Sequence, residues 1–357
     1  MTFRVASIVG ARPQLIKAAV VSRALRAVGE EVLIHTGQHY DANMSDVFFE
    51  ELGIPAPDRH LGVGSGTHAQ QTGRMLERIE AALQELTPQA VLVYGDTNST
   101  LAGALAAAKL GLPVAHVEAG LRSFNRRMPE EINRVVADTL SRWLFCPTTT
   151  AVSNLKQEGI TRGVHLVGDV MGDLLRVVTD GAGGLPDSLA AGGLRPGHYV
   201  VATVHRAENT DDPARLREIV RGLAALEWQV VFPVHPRTRR ALEASGLNDA
   251  LGRGRVMAIE PLGYPDMMRL VRSARCVVTD SGGLQKEAVW LGVPCVTVRD
   301  ETEWVETLEG GWNVLTGASA DQLIAAAARP RPSGSPPAVF GDGKAAGRMV
   351  EVLRREV

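Results

Sequence analysis

Short apolar runs alternate with segments of helical periodicity along the first half of the chain. In residues 71–86, Met75, Ile79 and Leu83 recur on one face together with Leu76 and Leu86, which predicts an amphipathic helix. Nearly continuous apolar runs of strand length separate such segments, a pattern typical of a parallel sheet covered on both faces. The predicted strands are residues 3–9, 31–35, 90–94 and 113–117, and the predicted helices are residues 14–28, 71–86 and an alanine-rich stretch ending at residue 110.

The alternation stops at residues 181–198, a segment rich in glycine and proline that we interpret as a linker or a long surface loop. It then resumes, and a second loop at residues 330–341 precedes a last helix at 344–355. The pattern therefore predicts an α/β fold with two domains, residues 1–180 and 181–340, followed by a terminal segment, 341–357. The predicted strands of the second half are residues 199–204, 229–234, 256–259, 276–279 and 295–298, and its predicted helices include 215–226 and 265–273.

Composition excludes several classes of function. The length of 357 residues agrees with two domains, and a net charge of -2 provides no basic field that would hold nucleic acid. Cys146, Cys276 and Cys295 are odd in number and widely spaced, which favours neither a disulfide framework nor a thiolate zinc site. No histidine spacing typical of a metal site occurs, so we expect no metal. No signal peptide or bilayer-spanning run is visible, which predicts a cytoplasmic protein without a membrane partner.

Polar side chains follow most of the predicted strands at the point where each strand ends. Ligands of open parallel sheets bind outside these carboxyl ends, so the chemistry of the protein is expected there. The residues placed in this way are Arg12, Lys17, Asp96, Glu118, His205, His235 and the segment from Asp280 to Glu287.

Two of these turns suit a nucleoside diphosphate. The first turn has one glycine and no dinucleotide fingerprint, but Arg12 and Lys17 place two cations near a helix N-terminus, where a phosphate binds. The glycines in the segment Ser281, Gly282 and Gly283 let backbone N–H groups approach a diphosphate, and Glu287 could accept both ribose hydroxyls. The alternatives are a solvated helix start and an ordinary strand-to-helix turn.

Carboxylates without basic neighbours in sequence are the candidates for acid and base catalysis. Asp96 and Glu118 each follow a strand and could point into one cleft, and the pair Glu130 and Glu131 follows shortly after. One of these groups could instead cap a helix, as Asp96 before a threonine could do. His205 is either a proton carrier or phosphate partner, or a structural histidine.

Six motifs, GARPQLIK, VYGDTNST, HVEAGLRS, MPEEINR, TVHRAEN and DSGGLQKEA, resemble in order those of the bacterial non-hydrolysing UDP-N-acetylglucosamine 2-epimerases. The resemblance covers residues 5–315. It implies two Rossmann-like domains in a glycosyltransferase-B-like fold with the active site in the interdomain cleft. It also implies that the last helix crosses back onto the first domain, and that the enzyme is a homodimer.

The resemblance also implies roles for single residues. The predicted catalytic residues are Asp96, Glu118, Glu130 and His205, where Glu131 is the alternative to Glu130. The predicted substrate-binding residues are Arg12, Lys17, Ser281, Gly282, Gly283 and Glu287. Segments that match an allosteric site for UDP-N-acetylglucosamine contain Gln38, His39, Gln71 and His235.

Two departures bear on the substrate. The family motifs GTRPE and TERPE are GARPQ and TEWVE here, so that Trp304 replaces an arginine. The run HTGQHYDANMSDVFFEEL resembles a branch that acts on UDP-2,3-diacetamido-2,3-dideoxy-glucuronic acid. The predicted substrate is therefore a UDP-amino sugar, either UDP-N-acetylglucosamine or this uronic acid.

The implied reaction is elimination of UDP across C1 and C2, followed by addition of UDP to the other C2 face. Carboxylates would remove and return the C2 proton, and basic residues would stabilise the departing diphosphate. No nicotinamide or other cofactor is needed. A retaining glycosyltransferase of the same fold, a hydrolysing epimerase and a non-catalytic nucleotide-sugar sensor are the rival interpretations.

Overall fold

A computed structural model describes residues 3–38, 56–180, 184–247, 255–338 and 340–357. The side chains of Arg12, Asp180, Asp187 and Ala191 are not described. The chain divides into two compact units. The N-terminal unit comprises Met1–Val177 and Val339–Val357, and the C-terminal unit comprises Val178–Ala338.

A seven-stranded sheet forms the centre of the N-terminal unit. Its strands are β1 (Arg4–Val9), β2 (Glu30–His35), β3 (Arg59–His60), β4 (Ala90–Tyr94), β5 (Val114–Val117), β6 (Trp143–Cys146) and β7 (Val164–Leu166). They are ordered β3-β2-β1-β4-β5-β6-β7, and every neighbouring pair is parallel. The helices of this unit are α1 (Arg12–Arg26), α2 (His68–Leu86), α3 (Asn98–Lys109), α4 (Pro129–Leu140), α5 (Thr149–Gln157) and α6 (Val170–Asp180).

The helix α2 shows why the sequence pattern predicts this half of the fold well. Met75, Ile79 and Leu83 are buried in the core formed with β1, β2 and β4, as their spacing predicts. All five residues of β4 are buried, because helices cover both faces of a parallel sheet. The strands β3, β6 and β7 were not predicted. They have two to four residues each, and β3 and β7 are the edge strands of the sheet.

The terminal helix α14 (Ala345–Glu356) belongs to the N-terminal unit, although it ends the chain. The Asp173 carboxylate on α6 accepts hydrogen bonds from the backbone N–H groups of Ala345 (2.9 Å) and Ala346 (2.8 Å). Trp143 Nε1 donates to Glu356 Oε2 at 2.8 Å near the other end of the helix. A carboxylate from another helix therefore satisfies the first orphan N–H groups of α14.

The C-terminal unit contains a six-stranded parallel sheet of the order β10-β9-β8-β11-β12-β13. Its strands are β8 (Tyr199–Thr203), β9 (Gln229–Pro233), β10 (Val256–Ile259), β11 (Cys276–Thr279), β12 (Cys295–Thr297) and β13 (Asn313–Leu315). Its helices are α7 (Asp187–Ala191), α8 (Ala207–Thr210), α9 (Pro213–Ala224), α10 (Pro236–Ala244), α11 (Tyr264–Arg272), α12 (Gly282–Trp290) and α13 (Ala320–Ala328), with a 3-10 helix at Val305–Gly311.

Residues 184–198, the described part of the segment predicted as a linker or a long surface loop, contain the helix α7 and the buried residues Leu185, Leu189 and Leu194. The prediction of a surface loop was therefore wrong at α7, because three leucines beside a helix of five residues show no recognisable period in the sequence.

The described residues hold neither a membrane-spanning helix nor a metal cluster. No helix among them is long and apolar enough to cross a membrane. Within the same part of the chain, no three or more His, Cys, Asp or Glu side chains are grouped so that they could hold a metal ion. Cys146, Cys276 and Cys295 are buried free thiols, and burial raises the pKa of each to about 12.

Candidate active site

Two adjacent strand ends carry the candidate carboxylates of the N-terminal unit. The strands β4 and β5 pair in parallel, and the residues that follow them include Asp96 and Glu118. The Gly95 backbone N–H donates to the carbonyl of Val117 at 3.0 Å, which ties the two turns together. Glu118 has φ +72°, a conformation that non-glycine residues seldom adopt and that is concentrated at functional sites.

Lys17 on α1 forms an ion pair with Glu118, and both side chains are almost buried, with 12% and 9% exposed. A β-carbon built on Gly95 would lie 3.2 Å from Lys17 Nζ and 3.4 Å from Glu118 Oε2. The turn after β4 therefore passes directly beside this pair. The sequence placed Lys17 and Glu118 at strand ends, but it gave no sign that the two, 101 residues apart, are partners.

Arg134 on α4 joins two more of the carboxylates. Its guanidinium donates to Asp96 Oδ2 at 2.6 Å and to Glu131 Oε2 at 2.8 Å. Burial lowers the pKa of Arg134, but Asp96 and Glu131 outweigh burial and raise it above its usual value. Asp96 does not cap α3, since the side chain of Thr97 accepts from the helix instead. Arg134 was not predicted, because Asp96 is 38 residues away in the sequence; its spacing of three residues from Glu131 was a local signal of the second contact.

The two glutamates of the PEE motif have different environments. Glu131 is buried, and its carboxylate accepts from the backbone N–H groups of Ser123 and Phe124 at 2.9 Å each, and from the Ser123 hydroxyl at 3.1 Å. Burial opposes ionisation, but these bonds and the bond from Arg134 hold the pKa of Glu131 below its usual value. Glu130 is exposed. The structure thus assigns Glu131 to holding the loop before α4, which leaves Glu130 as the accessible carboxylate.

Two glutamines predicted for an allosteric site are engaged within the N-terminal unit. Gln38 Oε1 accepts from the backbone N–H and the hydroxyl of Ser99 at 3.0 and 2.7 Å. Gln71 Nε2 donates to the carbonyl of Gln38 at 3.2 Å, and its Oε1 accepts from Asn98 at 2.8 Å. His39, predicted for the same site, lies outside the described residues, and so does the side chain of Arg12.

In the C-terminal unit, Asp280 organises the turn that carries His205. The fully buried Asp280 carboxylate accepts from the backbone N–H groups of His205 and Arg206 at 3.0 Å each, and from Asn209 Nδ2 at 3.1 Å. His205 Nδ1 is 3.3 Å from Asp280 Oδ1, and its ring centroid is 5.7 Å from that of His235. The predicted catalytic histidine and the predicted allosteric histidine are therefore neighbours.

The Ser-Gly-Gly turn opens α12 after the buried strand β11, as predicted. The Ser281 hydroxyl accepts from the Leu284 N–H at 3.4 Å and caps the helix. A β-carbon on Gly282 would lie 2.5 Å from Glu303 Oε1 and 3.3 Å from Trp304 Nε1, so a larger residue there would have to displace the Glu303 carboxylate. One turn along the helix, buried Glu287 accepts from the Tyr264 hydroxyl at 2.9 Å.

Trp304, the residue at which the motif TEWVE was predicted to depart from the family pattern, packs against Gly282 in this turn. Lys286 Nζ lies 3.5 Å from the centre of the Trp304 ring, and both residues are buried. The adjacent Glu303 bonds to Arg299 at 2.8 Å and faces Arg206 at 3.4 Å. Burial opposes ionisation of Glu303, but these two arginines hold its pKa below its usual value. Neither arginine was predicted; Arg206 is 97 residues from Glu303 in the sequence, whereas Arg299 is only four residues away.

Each unit therefore presents one kind of chemistry at the carboxyl ends of its strands. The N-terminal unit gathers carboxylates and cations, which suits proton transfer beside an anionic leaving group. The C-terminal unit offers the N-terminus of α12, whose N–H groups suit a diphosphate, and a histidine anchored on a buried carboxylate.

Comparison with known proteins agrees with this arrangement. A family profile described as UDP-N-acetylglucosamine 2-epimerase matches residues 23–354. UDP-2,3-diacetamido-2,3-dideoxy-D-glucuronate 2-epimerase of Pseudomonas aeruginosa is 49% identical over 99% of this chain and 99% of its own. The crystal structure of UDP-GlcNAc 2-epimerase of Methanocaldococcus jannaschii in complex with UDP-GlcNAc and UDP is 42% identical, with a TM-score of 0.86 over 99% of this chain and all (100%) of that one. The Neisseria meningitidis enzyme bound to UDP-GlcNAc has a TM-score of 0.84 at 28% identity, over 99% and 100% of the two chains. These likenesses and the two parallel sheets confirm the predicted glycosyltransferase-B-like α/β fold.

Proposed function

This chain belongs to the UDP-N-acetylglucosamine 2-epimerase family of isomerases, and we propose that it interconverts the C2 epimers of a UDP-N-acetylamino sugar by eliminating and re-adding UDP. The observation that carries the proposal is the placement of Asp96 and Glu118 on adjacent strand ends, with Lys17 bound to the second carboxylate. Proton transfer at a sugar carbon needs such carboxylates, and departure of a diphosphate needs a cation close by.

The reaction is difficult because C2 has no adjacent carbonyl that would stabilise a carbanion. Loss of the C2 proton together with the bond from C1 to UDP gives a glycal-type intermediate, and UDP then returns after a proton has been added to the opposite face of C2. Asp96, Glu118 and Glu130 are the groups for removal and return of the proton. Lys17 and His205 stabilise the departing diphosphate.

The nucleotide is assigned to the C-terminal unit. The helix α12 begins at Gly282 and Gly283, and the first N–H groups of a helix suit phosphate oxygens, while the Ser281 backbone N–H donates to Thr279 Oγ1 at 2.9 Å and its hydroxyl caps the helix. Glu287 lies one turn further and accepts from Tyr264, and we assign it to the ribose hydroxyls. Because elimination and re-addition of UDP includes no hydride transfer, the proposed reaction needs no nicotinamide.

UDP-N-acetylglucosamine is the first candidate substrate, and UDP-2,3-diacetamido-2,3-dideoxy-glucuronate is the second. The relative named for the second substrate is 49% identical over nearly the whole chain. Trp304 packs against Gly282. In the motif of the UDP-N-acetylglucosamine 2-epimerases that this sequence resembles, the corresponding residue is an arginine. Turnover of the two sugars, compared at equal concentration, decides between them.

The reaction itself is tested by incubating the protein and UDP-sugar in deuterated water. Epimerisation places deuterium at C2 of both epimers while UDP stays attached at equilibrium, and mass spectrometry and NMR detect the label. Net transfer or hydrolysis would release UDP, and a nucleotide-sugar sensor would bind without turnover, so either result overturns the proposal.

The location and the oligomeric state of the enzyme are also part of the proposal. We place it in the cytoplasm as a homodimer that supplies an epimerised amino sugar for polysaccharide synthesis. Size-exclusion chromatography with light scattering tests the dimer, which would give twice the mass of one chain.

A further inference from the structure

A buried histidine that the mechanism does not use lies beneath the two candidate carboxylates. His116 is in the middle of β5 and is fully buried. Its Nδ1 lies 2.7 Å from Asp138 Oδ1 on α4, and its Nε2 lies 2.7 Å from the backbone carbonyl of Gly95. Both ring nitrogens are therefore at short hydrogen-bonding distance from an oxygen.

The two acceptors determine which atoms carry protons. A backbone carbonyl can only accept, so Nε2 of His116 donates to Gly95. Burial opposes ionisation of Asp138, but His116 and Arg122 hold its pKa below the usual value, so its carboxylate also only accepts. Nε2 of His116 therefore donates to a turn of the candidate active site, and Nδ1 is paired with the Asp138 carboxylate.

Asp138 also holds the turn that follows β5 and carries Glu118. Its Oδ2 accepts from the Gly120 backbone N–H at 3.1 Å and from Arg122 at 2.7 Å. Arg122 in turn donates to Glu158 at 2.7 Å. Because Gly120 follows Glu118 by two residues, the turns that carry Asp96 and Glu118 are both attached to one buried hydrogen-bond network.

We propose that His116 is a positioning residue for the epimerisation, acting through the hydrogen bond from Nε2 to the Gly95 carbonyl. This bond sets the orientation of the peptide between Gly95 and Asp96, and hence the direction of the Asp96 side chain. It also keeps Gly95 against Lys17 and Glu118. The inference rests on the proposed function, since it concerns the geometry of the same carboxylates.

Two variants of similar size separate the two hydrogen bonds. In His116→Gln, the amide nitrogen falls near the position of Nε2 and can still donate to Gly95. In His116→Asn, the amide nitrogen falls near Nδ1, which keeps Asp138 as a partner and abandons Gly95. We expect kcat to fall by about 100-fold in His116→Asn and by less than about 10-fold in His116→Gln, with UDP affinity unchanged in both.

A role limited to folding would lower kcat equally in the two variants, and that result would overturn the inference. NMR of wild-type protein labelled with 15N-histidine provides a second measurement if either variant fails to fold. The His116 signals are assigned by their loss in a variant spectrum or by contacts to assigned neighbours, and an Nε2 that carries no proton would also overturn the inference. A wild type that turns over neither UDP-sugar refutes the proposed function instead, while the NMR result still tests the hydrogen bond.

Discussion

Glu130 and Glu131 are adjacent carboxylates for which the structure predicts opposite consequences of the same substitution. The Glu131 carboxylate accepts four hydrogen bonds, from two backbone N–H groups, the Ser123 hydroxyl and Arg134. Glu130 is exposed on the first turn of α4. Glutamine preserves the size of either side chain and removes its charge, so the pair Glu130→Gln and Glu131→Gln isolates the two roles.

The loss of unfolding free energy in Glu131→Gln follows from the hydrogen bonds that the Glu131 carboxylate accepts. Glutamine offers one acceptor oxygen, so it can keep the three bonds at Oε2, but its amide group then faces the Phe124 N–H that bonded to Oε1. One backbone donor loses its partner, and the bond from Arg134 loses its ionic character. Hydrogen bonds to charged groups contribute about 1.5–3 kcal/mol each, and we expect a net loss of about 2–3 kcal/mol. For a unit of this size, the midpoint temperature of the first thermal transition then falls by ~5–10 °C.

Glu130→Gln should change stability by less than about 0.5 kcal/mol, because the side chain is exposed. Its kcat should fall by at least about 100-fold, the usual contribution of a general acid or base. Thermal melts and initial rates of the two variants and the wild type measure both effects. An unstable Glu130→Gln, or a Glu131→Gln of wild-type stability, would refute the assignment of roles.

The lowered pKa of Glu131 gives this prediction a pH dependence. Its stabilising contribution is complete above the ordinary value of 4.5, because the carboxylate is ionised in both the folded and the unfolded chain. As the pH falls from there through the lower pKa of the folded state, the unfolded chain takes up a proton first and the contribution is lost. The difference in stability between wild type and Glu131→Gln should therefore shrink in acid, and a difference that stays constant would contradict the reasoning.

Three further predictions concern other parts of the site. Gly95→Ala adds a β-carbon at φ +61° beside Lys17, and we expect a loss of about 1–2 kcal/mol in urea denaturation and a fall in kcat of at least ~10-fold. Burial, with His60 nearby, lowers the pKa of His35 from 6.5 to about 4, so the unfolded chain binds a proton first and stability should fall by up to about 3 kcal/mol from pH 6.5 to pH 4. Urea titrations across this range, compared with His35→Gln, measure that loss. Glu287→Gln should weaken UDP binding by about 10-fold in calorimetry, and an unchanged affinity would remove Glu287 from the nucleotide site.

The fold follows largely from the sequence because its signals are local. Each buried strand of a parallel sheet is a short apolar run, and the predicted bounds 90–94, 256–259 and 276–279 are those of β4, β10 and β11. The other predicted elements differ by a few residues at their ends, where helix and strand boundaries are least distinct. Other elements were not predicted, among them the two-residue strand β3 and the five-residue helix α7.

The strand-end positions of the candidate residues were predictable from the sequence, but their hydrogen-bond and ion-pair partners were not. The rule that ligands meet the carboxyl ends of strands located Asp96, Glu118 and His205. Their partners, such as Arg134 for Asp96 and Asp280 for His205, come from distant segments, and the sequence holds no local signal for such contacts. A single sequence therefore indicates where the charges are but not which of them neutralise each other.

Hydrogen-bond and ion-pair partners also determine which carboxylates are available for proton transfer. Residue type and spacing made Glu130 and Glu131 equivalent, but the hydrogen bonds of Glu131 commit both of its oxygens to the loop before α4. A group that must give up and regain a proton in every turnover cannot also hold a loop in place, since protonation would break the bonds that order it. By the same argument we expect Asp138, fully buried and bound to His116 and Arg122, to maintain the geometry of the site and to take no part in proton transfer. The carboxylates that we propose for the reaction are those with exposed or strand-end positions, and the paired glutamine variants measure this proposed division of roles.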